Sequence, residues 1–141
     1  MSLLAQAKQF FVALDACNLD EAFALIAPSA NFRTPLASFT GIEAYREQVL
    51  MLFRAIPYFV HEFRGIAVES EQTLAFELHV TGTMTGPLAM PSGDFPPTGR
   101  SIDLPLSEFW RFENGLIVEY HVYFDRLDFF RQLGVTPPDE S

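Results

Sequence analysis

The sequence predicts an α+β domain in which helices come first and a curved antiparallel sheet follows. As far as Pro57, apolar residues recur at the three- and four-residue spacing of amphipathic helices. Beyond Pro57 the pattern changes to an alternation of apolar and polar residues, which is typical of strands. The pair Asn114-Gly115 then divides the last long extended segment and indicates a tight hairpin turn. Helices gathered on one face of a strongly curved sheet predict a cone with one open end, which suits a small, mostly apolar ligand.

Three helices are predicted in the N-terminal half. Residues 3–14 carry apolar side chains at helical spacing, and residues 18–28 hold a second, shorter helix. Thr40 and Glu43 form a capping-box pattern that predicts the start of a third helix. This third helix is expected to direct Phe53 inward, where it would contact the ligand.

The sheet is predicted from five extended segments, at residues 30–35, 58–69, 73–83, 101–112 and 116–125. Residues 86–99 contain four prolines and three glycines, which indicates a loop over the sheet. A short helix is expected at 126–133, just before Gly134. The single domain is expected to span residues 1–135, and residues 136–141 to form a frayed tail.

Composition excludes several classes of function. The 141 residues carry a net charge of -9 and no basic cluster, so neither nucleic acid nor an anionic membrane surface is an expected partner. No apolar run reaches the roughly 18 residues of a membrane span, and no signal-peptide pattern is present. Cys17 is the only cysteine, which favours a reducing, cytoplasmic location.

The last strand carries the main candidate site. Polar and apolar side chains alternate along this strand, so each kind forms a row on one face. The polar row is Glu119, His121, Tyr123 and Asp125, and the apolar row is Val118, Tyr120, Val122 and Phe124. The polar row either faces solvent or lines the pocket. Because the opposite row is apolar, the pocket interpretation is favoured, and the apolar row would then join two subunits of a homodimer through the outer sheet face.

The register of the hairpin decides which groups meet. A two-residue turn at Asn114-Gly115 places Glu108 opposite His121. Glu108 would then hold His121 in a proton network with Asp125. A shift of one residue would abolish that network.

Asp125 is the candidate acid or base. In a pocket of aromatic and aliphatic side chains a carboxyl is poorly solvated and keeps its proton towards neutral pH. Such a group can take a proton from a carbon next to a carbonyl and return it to oxygen. Asp125 also precedes the last predicted helix, where it would be a good N-cap.

The remaining candidates are ligand-binding residues. Trp110 and the phenylalanines can line a slot for a flat ring, although most aromatic side chains must be core. His79 either faces the pocket or lies at the sheet surface, and Arg33 either reaches an anionic group or forms a salt bridge. The three histidines show no metal-ligand spacing, and no nucleotide or phosphate motif occurs, so neither a metal nor a cofactor is expected.

Five short motifs follow one another in the second half of the chain: TGTMTG at 81–86, PPTGR at 96–100, ENGLIVEY at 113–120, YFD at 123–125 and QLG at 132–134. In these motifs and in the order of its elements, the chain resembles the SnoaL-like polyketide cyclases of the nuclear transport factor 2-like superfamily. The resemblance implies a cone-shaped α+β barrel, a dimer through the outer sheet face, and Asp125 as the acid or base of a cofactor-independent cyclase. Many relatives read Gly-Thr-His where this chain has Gly82-Thr83-Met84, so a pocket histidine is missing.

Two functions follow as hypotheses. The first is a cyclase or isomerase type of enzyme that acts on a hydrophobic carbonyl compound by proton transfer at Asp125, with His121 and Tyr123 assisting. The second is a non-catalytic dimeric domain that binds an apolar metabolite.

Overall fold

The computed structural model describes residues 1–136 and confirms the α+β class. Its helices are α1 (Leu3–Asp15), α2 (Leu19–Phe23), α3 (Ile42–Ala55) and α4 (Arg126–Leu133). Its strands are β1 (Ile26–Arg33), β2 (Ser38–Thr40), β3 (Val60–Glu69), β4 (Thr73–Thr83), β5 (Leu88–Met90), β6 (Gly93–Phe95), β7 (Ser101–Glu113) and β8 (Leu116–Tyr123). Of the predicted tail, residues 137–141 lie outside the described residues.

Six strands form one curved sheet in the order β2-β1-β8-β7-β4-β3. All neighbouring pairs are antiparallel except β1 and β8, which run parallel. The predicted loop at 86–99 contains a small separate hairpin of β5 and β6. Helices α1 and α3 cover the concave face of the sheet, and the main hydrophobic core lies between them and the strands.

Helix α1 begins at Ser2, whose side chain accepts a hydrogen bond from the backbone N–H of Ala5. Its buried face includes Phe10 and Phe11, whose rings pack against Trp110 at centroid distances of 5.2 and 5.7 Å. Aromatic packing of this kind fixes the helix on the sheet, because large rings bury much apolar surface.

The start of α3 differs from the capping-box prediction. Its N-cap is Gly41, with φ at +98°, and no side chain caps the helix. The Thr40 hydroxyl instead donates to the Asn31 side chain at 2.9 Å, because Thr40 belongs to β2 and faces β1. Glycine suits this junction, since its positive φ strains any residue with a Cβ.

The β7–β8 hairpin has the predicted two-residue turn and an additional irregularity. Asn114 and Gly115 both have positive φ, as a tight hairpin turn requires, and Glu113 pairs with Leu116. The register then shifts by one residue, because Val118 is an extra residue in β8 between the pairs Phe112–Ile117 and Arg111–Glu119. This is a β-bulge.

The bulge reverses which row of β8 faces inward. Phe109 is opposite His121 and Glu108 is opposite Val122, so the register that pairs Glu108 with His121 is wrong and the register shifted by one residue is present. Because a shift of one residue moves a whole row to the other face, Tyr120 faces the core while Glu119 and His121 face outward.

Candidate functional site

A cavity of about 130 Å³ lies between the concave face of the sheet and helices α1 and α3. Its wall is mostly aliphatic and aromatic: Leu14, Leu36, Phe39, Val49, Leu52, Ile56, Phe59, Val80, Ile102, Leu104, Leu106, Val122, Phe124 and Phe129. The polar side chains that line it are Thr34, Tyr45, Gln48, His61, Glu108 and Tyr120. A mostly apolar wall with a few convergent polar groups is the usual form of a small-ligand site.

Glu108 is the carboxyl of this cavity. It lies on the inward row of β7 and is only 2% exposed. Its Oε1 accepts a hydrogen bond from the Trp110 indole N–H at 3.0 Å. Burial raises the pKa of Glu108 to about 8, although hydrogen bonds from Trp110 and Tyr120 lower it. At neutral pH the side chain is therefore mostly a neutral acid that can donate a proton.

Two tyrosines extend this polar group across the cavity. The Tyr45 hydroxyl, from α3, donates to the Tyr120 hydroxyl at 3.1 Å, and the Tyr120 hydroxyl interacts with the Glu108 carboxyl. Burial raises the pKa of both phenols well above its ordinary range. Both tyrosines therefore stay un-ionised, and Tyr45, Tyr120 and Glu108 form one hydrogen-bonded chain.

His61 lines another part of the cavity and is paired with Asp15, which does not line it. His61 Nδ1 lies 2.6 Å from Asp15 Oδ1, and the His61 backbone N–H donates to Asp15 Oδ2 at 2.7 Å. The imidazole stacks on Phe11 at 4.5 Å and meets the edge of Phe59 at 5.2 Å. The pair joins the end of α1 to the start of β3.

Asp125 does not line the cavity. It is exposed and caps α4, where its carboxylate accepts a hydrogen bond from the backbone N–H of Asp128 at 3.0 Å. This is the alternative that the sequence left open for Asp125. The position gives no support to its predicted role as the acid or base.

The other polar residues predicted on β8 lie on the outer face of the sheet. His121 Nε2 is 3.1 Å from Glu119 Oε2, and Tyr123 is 42% exposed. Arg33 lies beside them on β1 and donates to the Tyr123 hydroxyl at 3.5 Å. The prediction that this row lines the pocket is wrong, and its physical reason is the bulge at Val118.

His79 is also on the outer face. Its Nδ1 lies 2.6 Å from Asp103 Oδ1, and Arg64 approaches both side chains, at 3.2 Å from the imidazole and 3.3 Å from the carboxylate. The surface alternative for His79 is the one that the structure shows.

Two predicted ligand-binding residues are close to the cavity without lining it. Trp110 is fully buried beneath Glu108 and acts on the cavity through its hydrogen bond to that carboxyl. Phe53 packs edge-on against Phe59 at 4.5 Å. Met84 is buried in a second core cluster around α4 and is also absent from the cavity wall.

Sequence reasoning missed His61, Tyr45 and Tyr120 as site residues. His61 alternates with Phe59 and Phe63, and this apolar row was the available signal that it points inward. The tyrosines were indistinguishable from core residues, because the pattern does not show what a buried hydroxyl contacts.

Within residues 1–136, no group of three or more His, Cys, Asp or Glu side chains could hold a metal ion. In the same part of the chain, no helix has the length and apolar character needed to cross a membrane.

A model of the SnoaL-like domain matches residues 7–120, more than half of the chain. The chain belongs to the SnoaL-like family. The resemblance drawn from the motifs is confirmed, although Asp125 lies beyond the matched residues. No curated protein matches the chain.

Solved structures with the same fold cover almost the whole chain. A candidate SnoaL-like polyketide cyclase from Jannaschia sp. CCS1 is 16% identical, with a TM-score of 0.82 and coverage of 95% of this chain and 92% of its own. IdmH, a candidate polyketide cyclase from Streptomyces antibioticus, is 21% identical, with a TM-score of 0.74 and coverage of 93% and 97%. A hypothetical protein with a ketosteroid isomerase-like fold from Catenulispora acidiphila DSM 44928, solved in complex with trimethylamine, is 15% identical, with a TM-score of 0.74 and coverage of 93% of each chain. At these identities the likeness shows a shared fold.

Proposed function

We propose that this protein is a cyclase or isomerase type of enzyme that transfers protons on a small carbonyl compound, with Glu108 as its acid. The observation that carries the proposal is the position of Glu108. Among the described residues that line the cavity it is the only carboxyl. It takes the role that the sequence assigned to Asp125.

The chemistry follows from the protonation state of Glu108. A neutral carboxyl can donate a hydrogen bond to a ligand carbonyl and pass on its proton as negative charge develops on that oxygen. The resulting carboxylate keeps its hydrogen bonds from Trp110 and Tyr120. These donors stabilise the anion in a site that would otherwise disfavour it. When a base also removes a proton from the carbon next to that carbonyl, the C–H electron pair forms the C=C bond of an enol. The enol can then accept a proton at a different carbon or attack a second carbonyl.

The cavity indicates the class of ligand. Neither lysine nor arginine is among the described residues that line it, so an uncharged ligand is favoured over an anionic one. Its volume of about 130 Å³ is close to the roughly 150 Å³ of an engineered apolar cavity that takes up benzene. A single-ring ketone is therefore the size of ligand that the cavity accepts as it stands.

A binding domain without catalysis is the second candidate. The observation in its favour is the almost wholly apolar wall, which suffices to bind an apolar metabolite by burial alone. In that case Glu108 would serve only as a hydrogen-bond donor to the ligand.

Hydrogen–deuterium exchange separates the two functions. Cyclohexanone in D₂O exchanges the protons next to its carbonyl by enolisation, and proton NMR follows their loss. We expect the wild-type protein to accelerate this exchange, and Glu108→Gln to lower the acceleration by about 100-fold or more.

The matched control is Asp125→Asn, because asparagine is as good an N-cap as aspartate and only the charge is removed. We expect this variant to exchange cyclohexanone like the wild type. If Asp125→Asn lost the accelerated exchange and Glu108→Gln kept it, Asp125 and not Glu108 would be the acid. If the wild-type protein did not accelerate the exchange, the enzyme proposal would be wrong and the binding domain without catalysis would be the remaining candidate.

We also propose a homodimer through the outer face of the sheet. The apolar row predicted for this contact faces inward, so other residues must form it. Four exposed apolar side chains support the proposal: Val60, Val68, Phe109 and Tyr123. Light scattering at micromolar concentration should give twice the chain mass, and a monomer would refute the proposal.

We also propose a cytoplasmic location, because the single cysteine suits a reducing compartment.

A further inference from the structure

The pair of His61 and Asp15 has the geometry of a fixed base. Asp15 contacts His61 twice, at the ring Nδ1 at 2.6 Å and at the backbone N–H at 2.7 Å. When Nδ1 donates its proton to Asp15, Nε2 carries the free lone pair. Phe11 and Phe59 fix the plane of the ring. The side chain can therefore present one basic atom in one direction.

The second ring nitrogen of His61 has no hydrogen-bond partner among the described residues. Among residues 1–136, no hydrogen bond to His61 Nε2 is present, whereas every buried side-chain nitrogen and oxygen in that range has a partner. Nε2 is therefore not sealed in the core. His61 lines the same cavity as Glu108, so its side chain is beside a ligand bound there.

Asp15 lies at the C-terminal end of α1, which is an unfavourable position for a carboxylate. It is the last residue of α1, and the helix dipole disfavours negative charge at this end of a helix. The two donors of His61 offset this effect. A carboxylate here would also stabilise the imidazolium that forms when Nε2 accepts a proton.

We propose that His61, positioned by Asp15, is the base that takes a proton from the ligand carbon while Glu108 protonates the ligand oxygen. This inference rests on the function proposed above. The C–H electron pair becomes the new C=C bond, the proton passes to His61 Nε2, and the carbonyl π electrons take the proton of Glu108. The product is an enol, and reversal of the two transfers restores both side chains.

The strand register leaves room for a ligand between the two groups. His61 pairs with Val80, which pairs with Leu104, so His61 is two strands away from the β7 strand that carries Glu108. Two strand spacings correspond to roughly 10 Å across the sheet, and the four residues from Leu104 to Glu108 add roughly 13 Å along β7, so the two backbones are roughly 16 Å apart. The separation suits a substrate whose carbonyl meets Glu108 and whose acidic C–H meets His61.

The test is cyclohexanone exchange in D₂O with variants that separate basicity from packing. In His61→Asn the shorter amide N–H can still donate to Asp15, but no atom replaces Nε2. We expect exchange to fall by about 100-fold or more, while binding of phenol, a planar analogue of the enol, is kept within a few-fold. In His61→Gly, added imidazole should restore exchange in proportion to its concentration, which a structural role would not produce.

The protein supplies its own control. His79 and Asp103 form a second pair with the same 2.6 Å distance, on the outer face of the sheet. We expect His79→Asn to leave exchange unchanged. If His61→Asn exchanged cyclohexanone at the wild-type rate while Glu108→Gln lost the exchange, this inference would be overturned and the proposed function would be kept. No exchange in the wild type would overturn both.

Discussion

Glu108 and Glu119 lie on neighbouring strands of one sheet, yet they are opposite in burial and in ionisation. Burial dominates at Glu108 and raises its pKa to about 8. At Glu119 burial also raises the pKa, but hydrogen bonds from Asn31 and His121, together with the charges of His121 and Arg111, lower it overall. A glutamate is thus a neutral acid on the concave face, at Glu108, and a carboxylate on the outer face, at Glu119.

The two histidine–aspartate pairs show the same contrast. His61 with Asp15 and His79 with Asp103 have equal distances of 2.6 Å. One imidazole stacks on Phe11 and lines the cavity, whereas the other lies beside Arg64 at the surface. Residue types and their mutual distances therefore do not identify the site. The face of the sheet on which they lie does.

The largest expected difference between the two glutamates is in the pH dependence of stability. Unfolded, Glu108 titrates near its ordinary pKa of 4.5, and folded near 8. Between these values the unfolded chain releases the proton and the folded chain keeps it. Its stabilising contribution is complete below pH 4.5 and is lost as the pH rises to 8, by roughly 4–5 kcal/mol in total.

Urea unfolding at pH 5 and pH 8 measures this effect. We expect the difference in free energy of unfolding between wild type and Glu108→Gln to fall as the pH rises. Glu119→Gln should show no such fall between pH 5 and pH 8. The pKa of Glu119 is lowered from its ordinary value of 4.5, so its stabilising contribution is already complete at pH 5 and is lost only at more acidic pH. Parallel pH profiles for the wild type and Glu108→Gln would contradict the assignment of a buried neutral acid.

A smaller difference is expected between Tyr120 and Tyr123. Tyr120→Phe removes the acceptor of the Tyr45 hydroxyl and a donor to Glu108, which should destabilise the fold by about 1–3 kcal/mol. It should also raise the pKa of Glu108 further. Tyr123→Phe loses only a 3.5 Å contact from Arg33 at the surface, so its effect should stay within about 0.5 kcal/mol. Urea unfolding at pH 7 compares the two, and equal losses would show that the faces do not differ as described.

The fold was predictable because its signals are local. Helical spacing and alternation predicted the three N-terminal-half helices and the long strands, and Asn114-Gly115 predicted the hairpin turn. The second helix nevertheless ends at Phe23 and not at Pro28, β1 begins at Ile26, and the short strand β2 was not predicted. The bulge at Val118 has no such signal. It contains neither glycine nor proline, and it depends on how β7 and β8 fit around the core. This one residue decided which row of β8 faces inward, and the site prediction failed with it.

Asp125 illustrates a second limit. An aspartate between a strand and a helix can serve either as the N-cap of the helix or as a catalytic acid. The sequence alone does not show whether its side chain is exposed. Glu108 was recognised as a candidate through its expected pairing with His121. It lies in the cavity for another reason, since it occupies the same inward row of β7 as Leu106 and Trp110. Neither pattern nor propensity shows that burial outweighs two hydrogen bonds at this carboxyl.

The titration of Glu108 tests the central claim most directly. Carbon-13 NMR of protein labelled at the glutamate carboxyl carbons follows each carboxyl as the pH changes. We expect one resonance to titrate near pH 8, to be absent from Glu108→Gln and to remain in Glu119→Gln. If every glutamate carboxyl in the folded wild type completed its titration below pH 6, the concave face would hold no neutral acid at pH 7, and the proposed chemistry would be wrong.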